Sequence, residues 1–458
     1  MALKQDVSGK RIAVVGSGVS GRGLALLACK LGADVFVTDR ASVDEDTKNL
    51  FRRMGIAWEE GGHTAKCYDA DMMVVGSGIP PRAPVILESQ RRGVPVRGEL
   101  DFVAPWLKGR IIGITGSNGK STTAALAGHM LDAMGLSVTV AGNIGKSLAD
   151  STLMEWDFIV AELSSFQLFW NNLLSCSVVI VTNLAPDHLD WHGTYDHYVR
   201  SKKRVISTMT EDGAAIIQDR DMQTLAKGFS EDIFLPFFWN ERDGGEDADR
   251  AVIADAGDRA VYFMSGCSRE RLFKFDSLPL LGRHNVENAA MAAAALRLSG
   301  VGDRMDELFS GFRGLRHRCE KVAEIDGILF VDDSKGTNVA SACTALTSIE
   351  GKKAVILGGQ GKGEDYAPLA ETVAKEAVAA IVIGEERERI MTALKLAGFE
   401  GAMEAEGLED GVPQAAKALE GSGTVLLSPA CTSWDMYPDY GARGDHFKEI
   451  VLSMRKEP

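Results

Sequence analysis

A strand–turn–helix signature at residues 111–122 constrains the fold of this 458-residue chain more than any other feature. The apolar run that opens it predicts a buried strand, and Gly116 and Gly119 predict a tight turn into a helix. Such a turn points several backbone N–H groups at one spot at the positive end of the helix dipole, which favours phosphate binding. Lys120 can neutralise outer phosphates, and the Ser121 hydroxyl can hold a magnesium ion.

The turn is shorter than the standard phosphate-binding loop, whose first glycine would stand where this chain has Ile114. The lysine and the two hydroxyl residues that follow it nevertheless indicate nucleotide binding rather than an ordinary glycine-rich turn. We therefore predict a shortened nucleoside triphosphate site formed by Gly116, Ser117, Asn118, Gly119, Lys120, Ser121 and Thr122.

A second glycine turn lies near the start of the chain. The strand Ile12–Val15 leads into Gly16–Gly21, and a second strand, Asp34–Thr38, ends at Asp39 and Arg40. This is the pattern of a βαβ unit that seats a pyrophosphate, with glycines for the turn and an acidic residue after the second strand. The pyrophosphate could belong to NAD or to a nucleotide sugar.

Further apolar strands in the middle of the chain end in polar residues. Glu162 follows one such strand, and Asn183, Asp187 and His188 follow the next. Because the ligands of a parallel sheet gather at the carboxyl ends of its strands, we expect these residues to converge on Lys120. Glu162 is then placed to hold a metal ion, whereas His188 could be a metal ligand, a phosphate contact or a plain loop histidine.

The last third of the chain again alternates apolar strands with helical stretches, which predicts another doubly wound sheet. Asp333 and Lys335 follow its first strand and could reach a nucleotide ribose and a transferring phosphate. Between the two regions, the acidic stretch at residues 241–259 is expected to be a surface hairpin.

Length favours about three domains. We predict an α/β protein with a Rossmann-like N-terminal domain (1–98), a central P-loop NTPase-like domain with a parallel sheet (99–314) and a Rossmann-like C-terminal domain (315–458). The net charge of −14, without a basic stripe, argues against a nucleic-acid partner. Seven scattered cysteines, no leader and no long apolar run predict a cytoplasmic protein without a membrane span, and we expect a monomer.

An ordered set of motifs over essentially the whole chain resembles the ATP-dependent Mur ligase family, which builds the peptide stem of peptidoglycan. The motifs are T-G-S-N-G-K-S-T (115–122), the strand ending at Glu162, N-L-A-P-D-H-L-D (183–190), H-N-V-E-N-A (284–289), H-R-C-E (317–320) and D-D-S-K-G-T-N (332–338). Within the family, G-S-G-V-S-G (16–21), E-L-S-S-F-Q-L (162–168) and S-P-A-C-T-S-W-D (428–435) are similar to the members that add D-glutamate.

The resemblance implies that ATP phosphorylates the carboxylate of UDP-N-acetylmuramoyl-L-alanine, that the amino group of D-glutamate attacks the acyl phosphate, and that phosphate leaves. Three alternatives stay open. One is a Mur ligase that adds L-alanine. The others are an NAD-dependent oxidoreductase, which the first glycine turn would suit, and a P-loop NTPase that acts as a switch.

By motif position the resemblance implies catalytic roles for Lys120, His188, Lys202 and Lys335. Two Mg²⁺ ions would be held by Ser121, Glu162, His188 and a carbamylated Lys202, which Tyr198 of the Y-x-x-x-K helix indicates over Lys203.

The resemblance also implies three sets of binding residues. ATP would contact Asn288, Arg318 and Asp333 besides the phosphate loop. The UDP substrate would contact Val19, Ser20, Gly21, Asp39, Arg40, Ser77, Gly78 and Asn143. D-Glutamate would contact Thr337, Lys362, Ser433 and Tyr440.

Overall fold

A computed structural model describes residues 6–240, 249–302 and 305–454. It contains three separate β-sheets with helices packed on them, which confirms the predicted α/β class and its three sheet-bearing domains. The chain divides into two compact units, one made of Met1–Leu278 with Glu287–Gly311 and the other of Pro279–Val286 with Phe312–Pro458. The first unit holds two of the sheets and the second unit holds the third. The predicted domain boundaries stay a prediction.

The first sheet has the Rossmann arrangement. Its strands are β1 (Arg11–Val15), β2 (Asp34–Thr38), β3 (Ala57–Glu59), β4 (Met72–Val75) and β5 (Val96–Gly98). They are all parallel in the order β3-β2-β1-β4-β5, so the order reverses between β1 and β4 and opens a crevice at their carboxyl ends. Its helices are α1 (Val19–Lys30), α2 (Glu45–Met54), α3 (Pro84–Arg91) and α4 (Glu99–Val103).

The second sheet carries the phosphate loop. Its strands are β6 (Lys108–Thr115), β7 (Val138–Gly142), β8 (Glu155–Glu162), β9 (Val178–Val181), β10 (Ala214–Gln218), β11 (Phe234–Asn240), β12 (Arg250–Asp255), β13 (Ala260–Ser265) and β14 (Ser268–Lys274). They run in the order β14-β13-β12-β11-β10-β9-β6-β8-β7. The seven strands β6 to β12 are parallel to one another. β13 and β14 extend the sheet as antiparallel strands.

The helices that accompany this sheet lie between its strands and after β14. They are α5 (Lys120–Ala133), α6 (Ser165–Phe169), α7 (Leu189–His192), α8 (Tyr195–Ser207), α9 (Met222–Leu225), α10 (Arg283–Leu298) and α11 (Met305–Leu308). One continuous apolar core joins the first sheet to the second, with Leu24 of α1, Ile159 of β8 and Leu148, which lies between β7 and β8, among its fully buried members. Burial of this apolar surface holds the two sheets of the first unit together.

The third sheet has five parallel strands and one antiparallel edge strand. Its strands are β15 (Glu320–Ile325), β16 (Ile328–Asp332), β17 (Lys353–Gly358), β18 (Ala379–Ile383), β19 (Ala402–Glu404) and β20 (Gly423–Leu427), in the order β15-β16-β20-β17-β18-β19. Its helices are α12 (Val339–Ser348), α13 (Ala367–Glu376), α14 (Arg387–Leu396), α15 (Leu408–Ala418) and α16 (Tyr440–Ser453). They leave one apolar cluster on each face of the sheet, as expected for a doubly wound domain.

The expectation of a surface hairpin at residues 241–259 is wrong in one respect: Arg250–Asp255 does form an antiparallel hairpin with the next strand, but it is largely buried. This segment is β12, whose residues 251–254 are buried because it lies between β11 and β13. Residues 241–248 lie outside the described part of the chain. Across the described ranges, the helices are too short or too polar to span a bilayer.

Candidate functional site

The turn from β6 into α5 requires glycine at two positions. Gly116 has φ +139°, and a Cβ there would lie 2.0 Å from Thr182 Oγ1. Gly119 has φ +84°, and a Cβ there would lie 2.3 Å from Asn288 Oδ1. These conformations and close approaches exclude other side chains, so the loop follows the tight path that the sequence predicts.

Asn183, two residues after the end of β9, holds the loop in place. The Asn183 side chain accepts the Asn118 N–H through Oδ1 at 2.9 Å and donates through Nδ2 to the Asn118 carbonyl at 3.0 Å. Its own carbonyl accepts the Ser117 N–H at 2.9 Å. The Ser117 hydroxyl lies 2.8 Å from the Tyr198 hydroxyl of α8. The loop backbone is therefore fixed from the neighbouring strand and from α8 before any ligand binds.

Two lysine ammonium groups meet at this loop. Lys120 Nζ donates to the carbonyls of Gly116 and Ser117 at 2.9 and 2.8 Å. Lys202 Nζ, from α8, donates to the same Gly116 carbonyl at 2.7 Å and is only 1% exposed. Burial and the charge of Lys120 lower the pKa of Lys202 well below its ordinary value, although Asp187 and Glu162 oppose the shift. Lys202 thus has a readily deprotonated amine beside the loop.

The adjacent lysine has a different environment. Lys203 Nζ donates to the Lys227 carbonyl at 2.7 Å and lies over the ring of Phe229. Its side chain is partly exposed. Since successive helical residues point about 100° apart, only Lys202 of the two faces the phosphate loop.

Glu162 and its neighbours form the acidic side of this site. The Glu162 carboxylate is 1% exposed, and its Oε1 accepts from Asn143 Nδ2 at 2.9 Å. Within the described residues its Oε2 is buried without a hydrogen-bond partner, an arrangement that suits a cation ligand. Ser121 is buried in the first turn of α5.

His188 lies at the start of α7 with left-handed backbone (φ +52°). Its ring is 4.7 Å from the ring of Phe166, and Nε2 is 3.4 Å from Asp187 Oδ2. The side chain is about half exposed, so it is accessible to a ligand. The charge of Asp187 is close enough to Lys202 to oppose the lowering of its pKa, so this loop lies at the same edge of the sheet as the phosphate loop.

Two adjoining cavities occupy the crevice of the first unit. A cavity of about 400 Å³ is lined by the glycine turns after β1 and β4 and by residues 142–145. A second, of about 700 Å³, is lined by Asp39, Arg40 and His63, by Ile79 and Pro80, and by residues 82–85 at the start of α3. Each of the eight residues predicted for the UDP substrate lines one of these cavities, whose walls have Gly16 and Gly78 in common. His63 is a lining residue that the sequence analysis missed.

The Asp39 carboxylate is held by the turn that it faces. Its Oδ2 accepts the Ser17 N–H and hydroxyl at 2.6 and 2.7 Å, and Oδ1 accepts the Ala41 N–H at 2.8 Å. Burial alone would raise the pKa of Asp39, but these hydrogen bonds outweigh it and lower the pKa. Asp39 is therefore an anion, and its hydrogen bonds to Ser17 hold the glycine turn in place.

In the second unit, the predicted ATP residues lie at the carboxyl end of β16. Asp333 Oδ2 accepts from the Ser428 hydroxyl at 2.7 Å, and its Oδ1 accepts the Cys319 N–H at 3.2 Å. Burial raises the pKa of Asp333 to about 7. Lys335 Nζ lies 5.3 Å from the centroid of the Tyr440 ring, and Arg318 precedes Cys319.

The predicted D-glutamate residues lie on three loops at one edge of the third sheet. Thr337 follows β16, Lys362 follows β17, and Ser433 follows β20, while Tyr440 begins α16. The Ser334 hydroxyl donates to the Tyr440 carbonyl at 2.8 Å. Backbone hydrogen bonds of 2.9 Å in both directions join Gln360 to Thr432. The structure thus gathers these loops, although Lys362 itself is exposed.

Arg443 joins these loops, and the sequence analysis missed it. Its fully buried guanidinium donates to the carbonyls of Ser334, Cys431 and Thr432 at 2.9, 3.1 and 3.2 Å. Burial lowers the pKa of Arg443 to about 10. In sequence it is an arginine on a helix, which is normally a solvated position, so no sequence signal marks it.

Asn288 lies in the first unit, where its Oδ1 accepts from the Thr123 hydroxyl at 3.2 Å. Arg318, Asp333 and Lys335 lie in the second unit. The residues that the sequence predicts for ATP are therefore divided between the two units.

Comparisons with known proteins give the family. Three family models match successive parts of the chain: the MurD N-terminal domain (residues 11–85), the Mur ligase middle domain (114–296) and the Mur ligase, glutamate ligase domain (317–431). A UDP-N-acetylmuramoylalanine–D-glutamate ligase of Bacteroides thetaiotaomicron is 37% identical over 455 residues, 97% of this chain and all of that protein. The chain belongs to the Mur ligase family.

Other Mur ligases agree with this assignment. The enzyme of the same name from Acidobacterium capsulatum is 35% identical, over 98% of both chains. The crystal structure of UDP-N-acetylmuramate-alanine ligase from Thermotoga maritima superposes with a TM-score of 0.58 at 20% identity, covering 97% of this chain and all of that one. At that identity the superposition supports the shared Mur ligase fold alone.

Proposed function

We propose that this chain is an ATP-dependent ligase that adds D-glutamate to UDP-N-acetylmuramoyl-L-alanine, with ADP and phosphate as the other products. The observation that carries the proposal is the phosphate loop, on which Lys120 and the buried Lys202 both converge. Relatives of that name, matched over nearly the whole chain, supply the substrates.

The first chemical step activates a carboxylate. A carboxylate resists attack by an amine until one oxygen becomes a leaving group, and transfer of the γ-phosphoryl group of ATP achieves this. The backbone N–H groups of the loop and Lys120 bind the phosphates and stabilise the charge that moves during transfer. Asn183 holds the loop in the geometry that this requires.

Mg²⁺ fits the residues beside the loop. The unpartnered Oε2 of Glu162 is a hard oxygen donor, and Ser121, His188 and a carbamate on Lys202 complete the proposed ligand sets for two ions. Bound Mg²⁺ would neutralise phosphate charge. An amine reacts with CO₂ only when deprotonated, so the lowered pKa of Lys202 supports carbamylation at this lysine.

The second step joins the amine. The amino group of D-glutamate attacks the acyl phosphate, and the tetrahedral intermediate expels phosphate. We assign the D-glutamate carboxylates to Thr337, Lys362, Ser433 and Tyr440, and the reacting phosphate to Lys335. Arg318 and Asp333 would contact ATP, as would Asn288. The UDP group would occupy the two cavities after β1, β2 and β4.

Phosphate release with purified protein tests the proposal. With ATP, Mg²⁺ and UDP-N-acetylmuramoyl-L-alanine, release should require D-glutamate and should fail with L-alanine, L-lysine or meso-diaminopimelate. Lys120→Ala should abolish it. Turnover with UDP-N-acetylmuramate and L-alanine would instead identify an L-alanine-adding ligase. Binding of NAD without phosphate release would favour the oxidoreductase alternative, and ATP hydrolysis without an acceptor would favour a switch.

We also propose that the protein works as a monomer in the cytoplasm. All seven cysteines are free, which suits a reducing compartment. ATP and UDP-linked precursors are both cytoplasmic metabolites, so the proposed reaction belongs there.

A further inference from the structure

The larger cavity of the first unit contains a histidine whose role is unassigned. His63 lines it together with Asp39 and with the apolar side chains Ile79, Pro80 and Ala83. A flat, weakly polar ring such as a nucleobase can pack between apolar walls of this kind. The polar side chains at the rim then decide which edge of the base is accepted.

A chain of hydrogen bonds fixes which His63 nitrogen carries the proton. Thr38 Oγ1 lies 2.8 Å from Glu59 Oε1 and 2.8 Å from His63 Nδ1. Burial would raise the pKa of Glu59, but hydrogen bonds from Thr64 and Thr38 lower it, so Glu59 is a carboxylate that only accepts. Thr38 must therefore donate its single proton to Glu59 and accept one from His63 Nδ1.

With the proton on Nδ1, Nε2 of a neutral imidazole is a hydrogen-bond acceptor. Burial and the positive charge of Arg40 lower the pKa of His63 and outweigh the carboxylates of Glu59 and Asp39, which keeps the ring neutral. In the described residues the ring forms its hydrogen bond through Nδ1, to Thr38, and this leaves Nε2 of a residue that lines the cavity to bond to a ligand.

The pyrimidine bases differ at the atom that an acceptor would meet. N3 of uracil carries a hydrogen, whereas N3 of cytosine is itself an acceptor. We propose that His63 Nε2 accepts a hydrogen bond from uracil N3–H and thereby selects uracil over cytosine in the nucleotide-linked substrate. This inference rests on the proposed function, because it specifies how the proposed uridine cavity recognises its base.

Binding of three nucleotides to the full-length protein tests the inference. Isothermal titration calorimetry would compare UDP, CDP and N3-methyl-UDP. We expect wild type to bind UDP about tenfold or more tightly than either of the others, the usual discrimination from one good base contact. His63→Phe keeps a ring but has no acceptor, so UDP affinity should fall and the UDP-to-CDP ratio should approach one.

Thr38→Val provides a second variant that leaves His63 in place. Valine preserves the shape of a buried side chain but cannot accept from Nδ1, so the tautomer with the proton on Nε2 becomes available. That tautomer donates to cytosine N3, and CDP should therefore bind more tightly than to wild type. As a control, His129→Phe on α5 should leave the ratio unchanged, because that ring bonds to Ser310. Thermal unfolding would verify that each variant is folded.

Unchanged UDP-to-CDP ratios in folded His63→Phe and Thr38→Val, or equal binding of the two nucleotides to wild type, would overturn the inference. D-Glutamate-dependent phosphate release by the same preparations separates this from failure of the proposed function. If the wild-type protein ligates but the variants leave the UDP-to-CDP ratio unchanged, only the proposed role of His63 is refuted. A protein that does not ligate refutes the ligase proposal, and the ratios still decide the role of His63.

Discussion

Two consecutive lysines on α8 have different environments, and this difference can be tested directly. Lys202 is buried against the Gly116 carbonyl, whereas Lys203 is partly exposed and bonds to Lys227. We predict that Lys202→Ala lowers phosphate release by about 100-fold or more, because the proposed metal-binding carbamate would be lost beside the developing charge. Added short-chain carboxylic acids should restore part of the activity.

Lys203→Ala is the matched control, since it removes the same side chain one position along the helix. It should retain most of the wild-type activity and should not respond to added acid. If added acid rescued Lys203→Ala and not Lys202→Ala, the modified lysine would be Lys203.

Asp333 should make the second unit less stable as the pH rises. Burial raises its pKa to about 7 from an ordinary value of 3.8, so between these values the folded state binds a proton that the unfolded state has released. Stability is therefore highest below the lower value and falls as pH rises toward 7. We predict that Asp333→Asn becomes progressively more stable than wild type from pH 5 to 7, by on the order of 1 kcal/mol per pH unit, and that the advantage levels off above 7.

Urea unfolding at several pH values, monitored by circular dichroism, measures this difference. Asp410→Asn serves as the control, because it makes the same substitution at an exposed position of α15. A stability difference that does not vary between pH 5 and 8 would contradict the raised pKa of Asp333. The same variant should bind ATP less tightly if the carboxylate contacts the nucleotide.

At the scale of elements, the ends of neighbouring strands shape the phosphate loop. Asn183 after β9 binds both the N–H and the carbonyl of Asn118, as a paired strand would. We predict that Asn183→Ala lowers kcat/KM for ATP by up to about 100-fold, since small displacements of a positioning group have such effects. Asn240→Ala, at the end of β11, removes an amide that bonds to Asp255 and should leave kcat/KM unchanged.

Thermal unfolding and UDP binding distinguish a positioning role of Asn183 from a role in folding. Asn183→Ala should unfold within a few degrees of wild type and should bind UDP normally, because Asn183 lines neither of the UDP cavities. Equal losses of ATP and UDP binding would show that Asn183 is merely structural.

Parallel strands were predictable from sequence, and much of what surrounds them was not. Continuous apolar runs that end in glycine or polar residues predicted β4 and β9 at their observed bounds. Arg443 and His63 escaped prediction because their roles depend on burial by segments distant in sequence. β12 escaped because its acidic flank resembles a loop, whereas pairing with β11 and β13 buries its centre.

On the scale of the whole molecule, the two cavities proposed for UDP lie in the first unit alone. A ligand that binds only the folded state stabilises the region it contacts, and at 100 times its Kd the gain is about 2.7 kcal/mol. We therefore predict that saturating UDP slows amide exchange by up to about 100-fold in peptides covering the turns after β1, β2 and β4.

Peptides from β17 and β18 of the second unit are the internal control for that experiment, which hydrogen–deuterium exchange mass spectrometry can resolve. Their exchange should be the same with and without UDP, because their amides are protected by their own sheet. ATP should give another pattern, with protection of the loop between β6 and α5, where Gly116 and Lys120 lie. Uniform slowing of both units by UDP would contradict a UDP site confined to the first unit, since a local ligand raises the opening free energy only of segments that unfold with its site.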